Sequence, residues 1–364
     1  MRRNQWRNFD FLLFGAVVFM CLFGIIMIQS AIAGNEALAD HPQRQAIFVA
    51  IGLALVIIVA AIDYHLWSSI ARFVYVFAFL ALFIIYVYGE ARFGSARWID
   101  TGLILIQPSE IVKTLMILVL AEHFDRTYDQ KKDLRWIIRS FLLTFGVVVW
   151  ILLQPNLSTS IVIFVIWFAL LWISGLPAKF LAIMVVVGIL LVVLMFPFLE
   201  DYQQGRIINF LFPDPEASYG DVYNIEQSKI TIGSGGWFGQ GYAQGTQVQL
   251  RFLKVRHTDF IFSVVAEEFG FVGTMLVVAL MGYIIYRCVR VAQTAPDRYG
   301  SLVAFGYSAM LFFQTAINIG VNLNLVPVSG LPFPFLSYGG SSLISTIIGI
   351  GLVESVALRK KIIQ

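Results

Sequence analysis

The sequence predicts an all-α polytopic membrane protein, and both its composition and its hydropathy pattern point to that class. Of the 364 residues, 59% are hydrophobic and 13% are charged, whereas soluble domains usually carry about 25% charged residues. The mean hydropathy is +0.81, and the apolar residues form runs near the roughly 20 residues that a helix needs to cross a bilayer. A net charge of +3 on such a chain gives no reason to expect a nucleic-acid partner.

The apolar runs predict about ten transmembrane helices. The first follows a basic N-terminus and is longer than the roughly 7–15 apolar residues of a signal-peptide core, so we expect it to be a retained span. Cys21 and Cys288 lie far apart and the four histidines are scattered, which predicts neither a disulfide framework nor a metal site. The predicted spans are 11–33, 45–62, 70–88, 103–122, 137–153, 157–174, 179–199, 259–286, 301–322 and 336–358.

Lysine and arginine orient this bundle, because they are enriched in the short cytoplasmic segments of membrane proteins. With the N-terminus inside, the inner segments hold sixteen of them, and the short outer links hold three. Both termini are therefore expected in the cytoplasm. The chain is then one integral membrane domain, 1–364, with one large extracellular loop, 200–257, before the eighth span. The aromatic and glycine content of this loop argues against disorder.

Asp259 stands at the outer end of the predicted eighth span, directly before Phe260. A carboxylate there is partly desolvated, which raises its pKa and suits it to accept a proton near neutral pH. Aspartate is also a good helix N-cap, and the residue alone does not decide between capping and catalysis. The two roles are compatible, since a cap only fixes where the carboxylate points.

Two pairs of charged residues fall well inside predicted spans, where charge is costly and functional by default. Glu110 and Lys113 are three residues apart and share a helix face, so mutual neutralisation is expected. Apolar residues could often replace a pair with that role alone, which leaves room for a functional one. Glu267 and Glu268 lie about two turns into the eighth span, and structural pairing with a cation on another helix is favoured slightly over direct chemistry.

Three further motifs can be explained by a structural role as well as by a functional one. Arg97 and Trp98, in the outer link 89–102, fit a membrane-interface anchor better than a phosphate clamp when taken alone. The glycine-rich stretch 233–241 lacks the spacing of a nucleotide-binding loop, and its glycines are expected to allow tight turns. The small residues of 337–342 do not form a nucleophile elbow and are expected to permit close helix packing.

Several separate stretches together resemble one family, the shape, elongation, division and sporulation (SEDS) proteins, which are bacterial peptidoglycan glycosyltransferases. The residues between 244 and 257 and the short N-terminus look more like the elongation (RodA) branch than the division (FtsW) branch. One departure is Asn156, which follows Gln154-Pro155 where many members have aspartate. The motifs that carry the resemblance are Arg97-Trp98, Gln107-Pro-Ser-Glu110 with Lys113, Gln154-Pro155, Gln227-Ser228, Gly235-Gly236, His257-Thr-Asp-Phe-Ile-Phe262 with Glu267-Glu268, and Gly330 to Ser342.

The resemblance implies polymerisation of lipid II into undecaprenyl-linked glycan strands, on the outer face of the cytoplasmic membrane, during elongation and cell-shape maintenance. It implies that Asp259 is the essential acidic residue. It also implies a class B penicillin-binding protein as partner, together with the elongation machinery and membrane lipid. The implied substrate-binding residues are Arg97, Trp98, Glu110, Lys113, Arg206, Gln227, Ser228, Lys229, Glu267, Glu268, Ser337 and Tyr338.

The residues agree with that chemistry, because Asp259 can serve as general base for an acceptor hydroxyl while cations carry the charge of the departing diphosphate. A divalent ion is the alternative to protein cations, and the sequence does not rank them. Two other functions stay open, a lipid II flippase and a non-enzymatic scaffold that activates the partner. The available cations are Arg97, Lys113, Arg206, Lys229, Arg251, Lys254 and Arg256.

Overall fold

A computed structural model of the chain describes residues 5–88, 90–92, 95–100, 105–214 and 219–360; the side chains of 88, 90–92, 95–100, 185, 189, 191 and 192 are outside this description. The described part is mostly helical. Three short 3-10 turns, Gln5–Asn8, Glu36–Leu38 and Phe196–Phe198, accompany the longer elements. The α-helices are α1 (Phe11–Ala31), α2 (His41–Ala61), α3 (Tyr64–Ser69), α4 (Ala71–Tyr88), α5 (Pro108–Arg126), α6 (Leu134–Leu153), α7 (Leu157–Ile173), α8 (Ala178–Met195), α9 (Asp201–Leu211), α10 (Gly220–Ser234), α11 (Thr246–Gln249), α12 (Ile261–Gln293), α13 (Arg298–Asn322) and α14 (Gly340–Leu358).

A helix lies in each of the ten stretches that the hydropathy pattern marked as spans, and the predicted helical class is confirmed. Seven helices of the described part are long and apolar enough to cross a membrane: α1, α2, α6, α8, α12, α13 and α14. Helices α4 and α7 are apolar but shorter, and α5 carries several charged residues. The fourth predicted span began too early, since α5 starts at Pro108. Proline is favoured there because the first turn of a helix needs no N–H donor from it.

The link between α4 and α5 forms a small antiparallel sheet that the hydropathy pattern did not predict. Its strands are β1 (Glu90–Arg92), β2 (Ser95–Asp100) and β3 (Leu105–Ile106), in the order β1-β2-β3. In this sheet Trp98 pairs with Glu90, and Ile99 pairs with Ile106. The backbone of Arg97 and Trp98 therefore lies in β2, while their side chains lie outside the described residues.

Helix α14 packs against α2, α5 and α13 and is buried along most of its length. Small residues permit this packing, because a side chain at Gly349 would overlap the Tyr307 ring and one at Gly340 would meet the Phe48 ring. Close packing at the start of the last span, predicted from its small residues, is confirmed at Gly340. Helix association in lipid depends on such close approach.

The described residues of the segment 200–257 form α9, α10, α11 and connecting loops. A capping box between Glu200 and Gln203 begins α9, satisfying N–H groups that the first helical turn would otherwise leave unpaired. Helix α10 packs against the first half of α12. The segment thereby reaches Asp259 from one side, while α13 reaches it from another.

Candidate active site

Asp259 lies in a turn two residues before α12 begins, and its side chain is half-buried. The N-cap of α12 is Phe260, which makes no side-chain cap bond. Within the described part of the chain, the Asp259 carboxylate accepts no hydrogen bond and forms no ion pair of 4 Å or less. The carboxylate therefore does not cap the helix, and the structure favours the other interpretation of this residue, a side chain available to a ligand.

The backbone around Asp259 is held by donors from the last third of the chain. The carbonyl of His257 accepts the Tyr338 N–H at 3.0 Å, and the carbonyl of Thr258 accepts the Ser337 hydroxyl at 2.6 Å. The two predicted substrate-binding residues, Ser337 and Tyr338, thus contact the backbone next to Asp259. Such bonds orient Asp259 through its own main chain and leave its carboxylate free.

Two asparagines on α13 complete this set of contacts. The Asn318 and Asn322 side-chain amides donate to the Asp259 carbonyl at 3.1 Å and 3.0 Å. Sequence reasoning missed both residues. Their signal was present as two asparagines four residues apart in a mostly apolar span, a spacing that places them on one helix face.

Asn322 also links Asp259 to α10 and to the first turn of α12. Its side-chain oxygen accepts the Ser263 N–H at 3.2 Å and the Ser263 hydroxyl at 2.6 Å. The Ser228 hydroxyl donates to the Asn322 carbonyl at 2.8 Å and lies 2.6 Å from the Ser263 hydroxyl. Ser228, a predicted substrate-binding residue, has no exposed surface, so the structure places it within the scaffold of the site.

Arg206 is the cation that the structure brings into the electrostatic environment of Asp259. Burial raises the pKa of Asp259 to about 6, the positive charge of Arg206 opposes this rise, and the negative charge of Asp221 adds to it. The Arg206 guanidinium lies 3.2 Å from the Asp221 carboxylate, and both side chains are about one-third exposed. A carboxylate with this pKa is ionised for much of the time at pH 7 and can still accept a proton.

An aromatic cluster borders the same turn. The rings of His41 and Tyr338 have centroids 4.1 Å apart, and those of His41 and His257 are 5.5 Å apart. Burial lowers the pKa of His257 to about 4, so it is neutral at pH 7. Gln45 of α2 binds the loop that precedes α14. It donates to the Ser337 carbonyl at 3.1 Å and accepts the Gly339 N–H at 3.3 Å.

Glu267 and Glu268 are buried in α12, and neither pairs with a cation among the described residues. Glu267 accepts the N–H groups of Gln247 and Val248 at 2.8 Å and 3.2 Å, at the start of α11, where a helix favours negative charge. One Glu268 oxygen accepts the Ser30 hydroxyl, and the other has no hydrogen-bond partner. Backbone N–H groups and hydroxyls, and not the expected cation, are the partners of these two carboxylates. Glu267 holds the start of α11 in place.

The glycine-rich segment 233–241 packs against a break in α12 and forms backbone hydrogen bonds to it. Gly270 has φ 66° and ψ −165°, which interrupts the helix. The backbone groups released there bind the segment: the Phe271 N–H donates to the Gly236 carbonyl at 2.8 Å, and the Gly241 N–H donates to the Glu268 carbonyl at 3.0 Å. A side chain at Gly239 would overlap that Glu268 carbonyl. These glycines therefore serve backbone-to-backbone contact in addition to the turns that were expected.

Glu110 and Lys113 form a buried ion pair at 2.9 Å, with their side chains 6% and 2% exposed. The Ser345 hydroxyl of α14 donates to the Glu110 carbonyl at 2.7 Å. The predicted mutual neutralisation is confirmed. Nearby, Asn156 is the N-cap of α7 and accepts the Thr159 N–H at 3.3 Å, a role in which aspartate and asparagine are equivalent.

The other proposed cations lie in different settings. Lys229 is exposed and pairs with Glu226 at 2.8 Å, while Gln227 beside it is half-buried. Arg256 donates to the carbonyl of Ala31, the last residue of α1, and Arg251 donates to the carbonyl of Gly34 just beyond it, where a helix C-terminus favours positive charge. Lys254 lies 5.7 Å from the centre of the Tyr223 ring.

A metal site built from side chains alone does not occur in the described ranges, which contain no group of three or more His, Cys, Asp or Glu side chains suited to an ion.

The fold and the site define a polytopic helical membrane protein that presents a partly buried, unpaired carboxylate and a cation at one end of its bundle. The chain belongs to the FTSW_RODA_SPOVE family, described as cell cycle proteins, whose profile matches residues 10–362.

Individual relatives agree with this membership. The chain is 36% identical over 346 residues to the peptidoglycan glycosyltransferase MrdB of Escherichia coli K12, covering 95% of this chain and 92% of the relative. It is similar to the rod shape determining protein RodA of Thermus thermophilus, with a TM-score of 0.73, 30% identity and 97% of each chain covered. It is also similar to a chain from a peptidoglycan synthase complex studied for its coordination of polymerization and crosslinking, with a TM-score of 0.81, 31% identity, and 96% and 97% of the chains covered.

Proposed function

We propose that this protein is a peptidoglycan glycosyltransferase that polymerises lipid II during cell elongation. The family membership and the names of its relatives support this function. The structural observation that carries it is the Asp259 carboxylate, which is half-buried, unpaired in the described part of the chain, and held through its backbone carbonyl by Asn318 and Asn322.

In the proposed reaction, Asp259 takes the proton from the acceptor sugar hydroxyl. That oxygen forms a bond to the anomeric carbon of the donor, and the bond between this carbon and the diphosphate oxygen breaks. The electron pair leaves with the undecaprenyl diphosphate, and the proton stays on Asp259. A general base of this kind contributes about 10²–10⁴-fold to a rate.

Arg206 is the favoured cation for the departing diphosphate. A guanidinium can bind two phosphate oxygens at once, and the electrostatic effect of Arg206 on Asp259 supports its nearness. Arg97 and Trp98 of β2 remain proposed substrate contacts through the family resemblance. Glu110, Lys113, Ser228, Glu267 and Glu268 are buried and are proposed to hold the surrounding helices in place. Gln227 and Lys229 remain proposed substrate contacts through the family resemblance.

We also infer that ten helices cross the cytoplasmic membrane, with both termini inside and the segment 200–257, with Asp259, outside. The ten helices that coincide with apolar runs support this count, and the excess of inner lysine and arginine supports the orientation. A crosslinking transpeptidase of the class B penicillin-binding type is the proposed partner. The likeness to a chain of a peptidoglycan synthase complex supports that pairing.

Labelled lipid II given to the purified protein tests the activity. We expect glycan ladders from the wild type and from Asp201→Asn, a matched exposed aspartate of α9, and none from Asp259→Asn. Ladders of normal intensity from Asp259→Asn would remove Asp259 as the base. Sealed vesicles discriminate the alternatives, because transfer of lipid II across the bilayer without polymer would identify a flippase. Absence of both polymer and transfer, with stimulation of the partner retained, would identify a scaffold.

A further inference from the structure

A cavity of about 510 Å³ lies at the end of the bundle away from Asp259. Helix α13 runs from one end of the bundle to the other and so shows the separation of the cavity from Asp259. Near its C-terminal end, Asn322 contacts Asp259, and at its first residue the Arg298 guanidinium lies over the ring of Tyr128, just after α5 ends. These 25 helical residues span about 37 Å at about 1.5 Å per residue. The cavity, hereafter the α4–α5 cavity, is lined in part by the last turns of α5 and is therefore separate from the site described above.

The α4–α5 cavity carries an uncompensated positive charge. Arg126 pairs with Glu122, and Glu122 also accepts the Ser68 hydroxyl, so this pair is neutral overall. Arg72 also lines the cavity and has no ion pair or hydrogen bond within the described residues. The hydroxyls of Ser68 and Ser69 share the same wall. Both hydroxyls already donate, Ser68 to Glu122 and Ser69 to the Leu66 carbonyl at 2.7 Å. The unpaired Arg72 guanidinium is therefore the group left to donate to phosphate oxygens.

An apolar surface continues from the mouth of the cavity along α4. Phe73 and Val76 line the cavity and are 76% and 52% exposed. Phe77 and Leu80 extend this row by one further turn, at 63% and 47% exposure. The spacing of these four side chains places them on one face of the helix. A ligand that fits both parts has an anionic head and a long apolar tail.

We propose that the α4–α5 cavity binds an anionic phospholipid of the leaflet at that end of the bundle. Its phosphate accepts hydrogen bonds from Arg72, and an acyl chain lies along Phe73, Val76, Phe77 and Leu80. Basic pockets between transmembrane helices bind anionic head groups in this way. A zwitterionic lipid satisfies the cavity less well, because its own cation opposes the free guanidinium. The site does not depend on the proposed glycosyl transfer.

Lipid retention measured by native mass spectrometry tests the proposal. The purified full-length protein is titrated with phosphatidylglycerol or with phosphatidylcholine. We expect one phosphatidylglycerol to be retained preferentially, and its affinity to fall about fivefold in Arg72→Ala, as expected for one arginine at an anionic lipid surface. The matched control is Arg290→Ala, an exposed arginine in the last turn of α12, which should retain the lipid as the wild type does. Arg72→Lys should keep most of the binding.

A second variant separates lipid binding from any effect of Arg72 on folding. Val76→Trp fills the mouth of the cavity from a lipid-facing position and leaves Arg72 in place, so we expect it to lose the same lipid. Millimolar glycerol 1-phosphate should not displace phosphatidylglycerol, and displacement would assign the site to soluble phosphates instead. Equal retention by the wild type, Arg72→Ala and Val76→Trp, or equal retention of the two lipids, would overturn the proposal.

Discussion

The Asn322 side-chain amide donates to the backbone carbonyl of Asp259 at 3.0 Å and so ties the start of α12 to the end of α13. The Asn322 side-chain oxygen is occupied as well, by Ser263. One buried side chain therefore fixes the main chain of the proposed base without touching its carboxylate. This arrangement allows the position of Asp259 and its protonation to be tested separately.

Asn322→Ala tests the position. The substitution removes the oxygen that accepts from the Ser263 N–H and hydroxyl and one of the two donors to the Asp259 carbonyl, so we expect a loss of about 1–3 kcal/mol of stability. Glycan synthesis should fall even where the protein is fully folded, because the base is less well oriented. The control is Asn209→Ala on α9, which is partly exposed. Thermal unfolding and the lipid II assay check the two effects, and wild-type values for both in Asn322→Ala would contradict the proposed role.

The pH dependence of the rate follows from the pKa of Asp259, which burial raises to about 6. Only the ionised carboxylate accepts a proton, so we expect activity to rise with pH through about 6 and then to level off. Initial rates of polymerisation across this range provide the measurement. A rate that falls as pH rises through the same interval would be incompatible with Asp259 as the base.

The same pKa predicts an opposite trend for stability. The folded-state pKa lies above the ordinary aspartate value of 3.8, so the folded protein binds the proton more tightly than the unfolded chain. The stability contributed by this group is fully present below 3.8 and is lost as pH rises to about 6. Asp259→Asn removes the buried charge, so its Tm should exceed that of the wild type near pH 7 and match it near pH 4. A lower Tm for Asp259→Asn near pH 7 would refute this assignment.

Gly239→Ala tests the packing of the segment 233–241 against the break in α12. Gly239 has φ 80°, and a side chain there would overlap the Glu268 carbonyl, so we expect severe loss of folded protein. Gly233→Ala is the control, because Gly233 lies in α10 with open space around it. Alanine at a helical position like this stabilises by about 0.5–1 kcal/mol. Yields and Tm values after purification distinguish the two variants. Equal values would show that close contact between Gly239 and the Glu268 carbonyl is not needed for folding.

Glu110→Gln tests the buried ion pair. It leaves the Lys113 ammonium buried without a counter-charge, which costs about 3–5 kcal/mol. The double variant Glu110→Leu with Lys113→Met removes both charges and should recover much of the stability. Unfolding measurements on both variants, followed by the lipid II assay on the double variant, separate stability from function. Full activity in the double variant would reduce the pair to a structural role.

Hydropathy predicted the positions of the ten helices because lipid requires about 20 apolar residues for each crossing. It could not predict β1 to β3, whose short pairing depends on backbone hydrogen bonds and leaves little trace in composition. The break at Gly270 was also hidden, since it falls inside a single predicted span and glycine is common in transmembrane helices. Its stability comes from Gly236 and Gly241, which lie far enough away in sequence that no local pattern joins them.

The candidate site was predicted unevenly for a similar reason. Asp259 was identifiable because a carboxylate at the edge of an apolar run is costly without a purpose. The amides of Asn318 and Asn322 were visible, but their target, the Asp259 carbonyl, is a backbone group that every residue possesses. Seven cations were candidates for the diphosphate, and only tertiary structure distinguishes Arg206 from those that bind helix ends, such as Arg256.

The three carbonyls of residues 257–259 all depend on donors between Asn318 and Tyr338. During synthesis, the ribosome produces Asp259 long before those donors emerge and enter the membrane. A nascent chain that ends before residue 318 therefore holds the proposed base on an unsupported turn. The hydrogen bonds that hold the Asp259 backbone therefore form only after α13 and the loop that follows it have been synthesised.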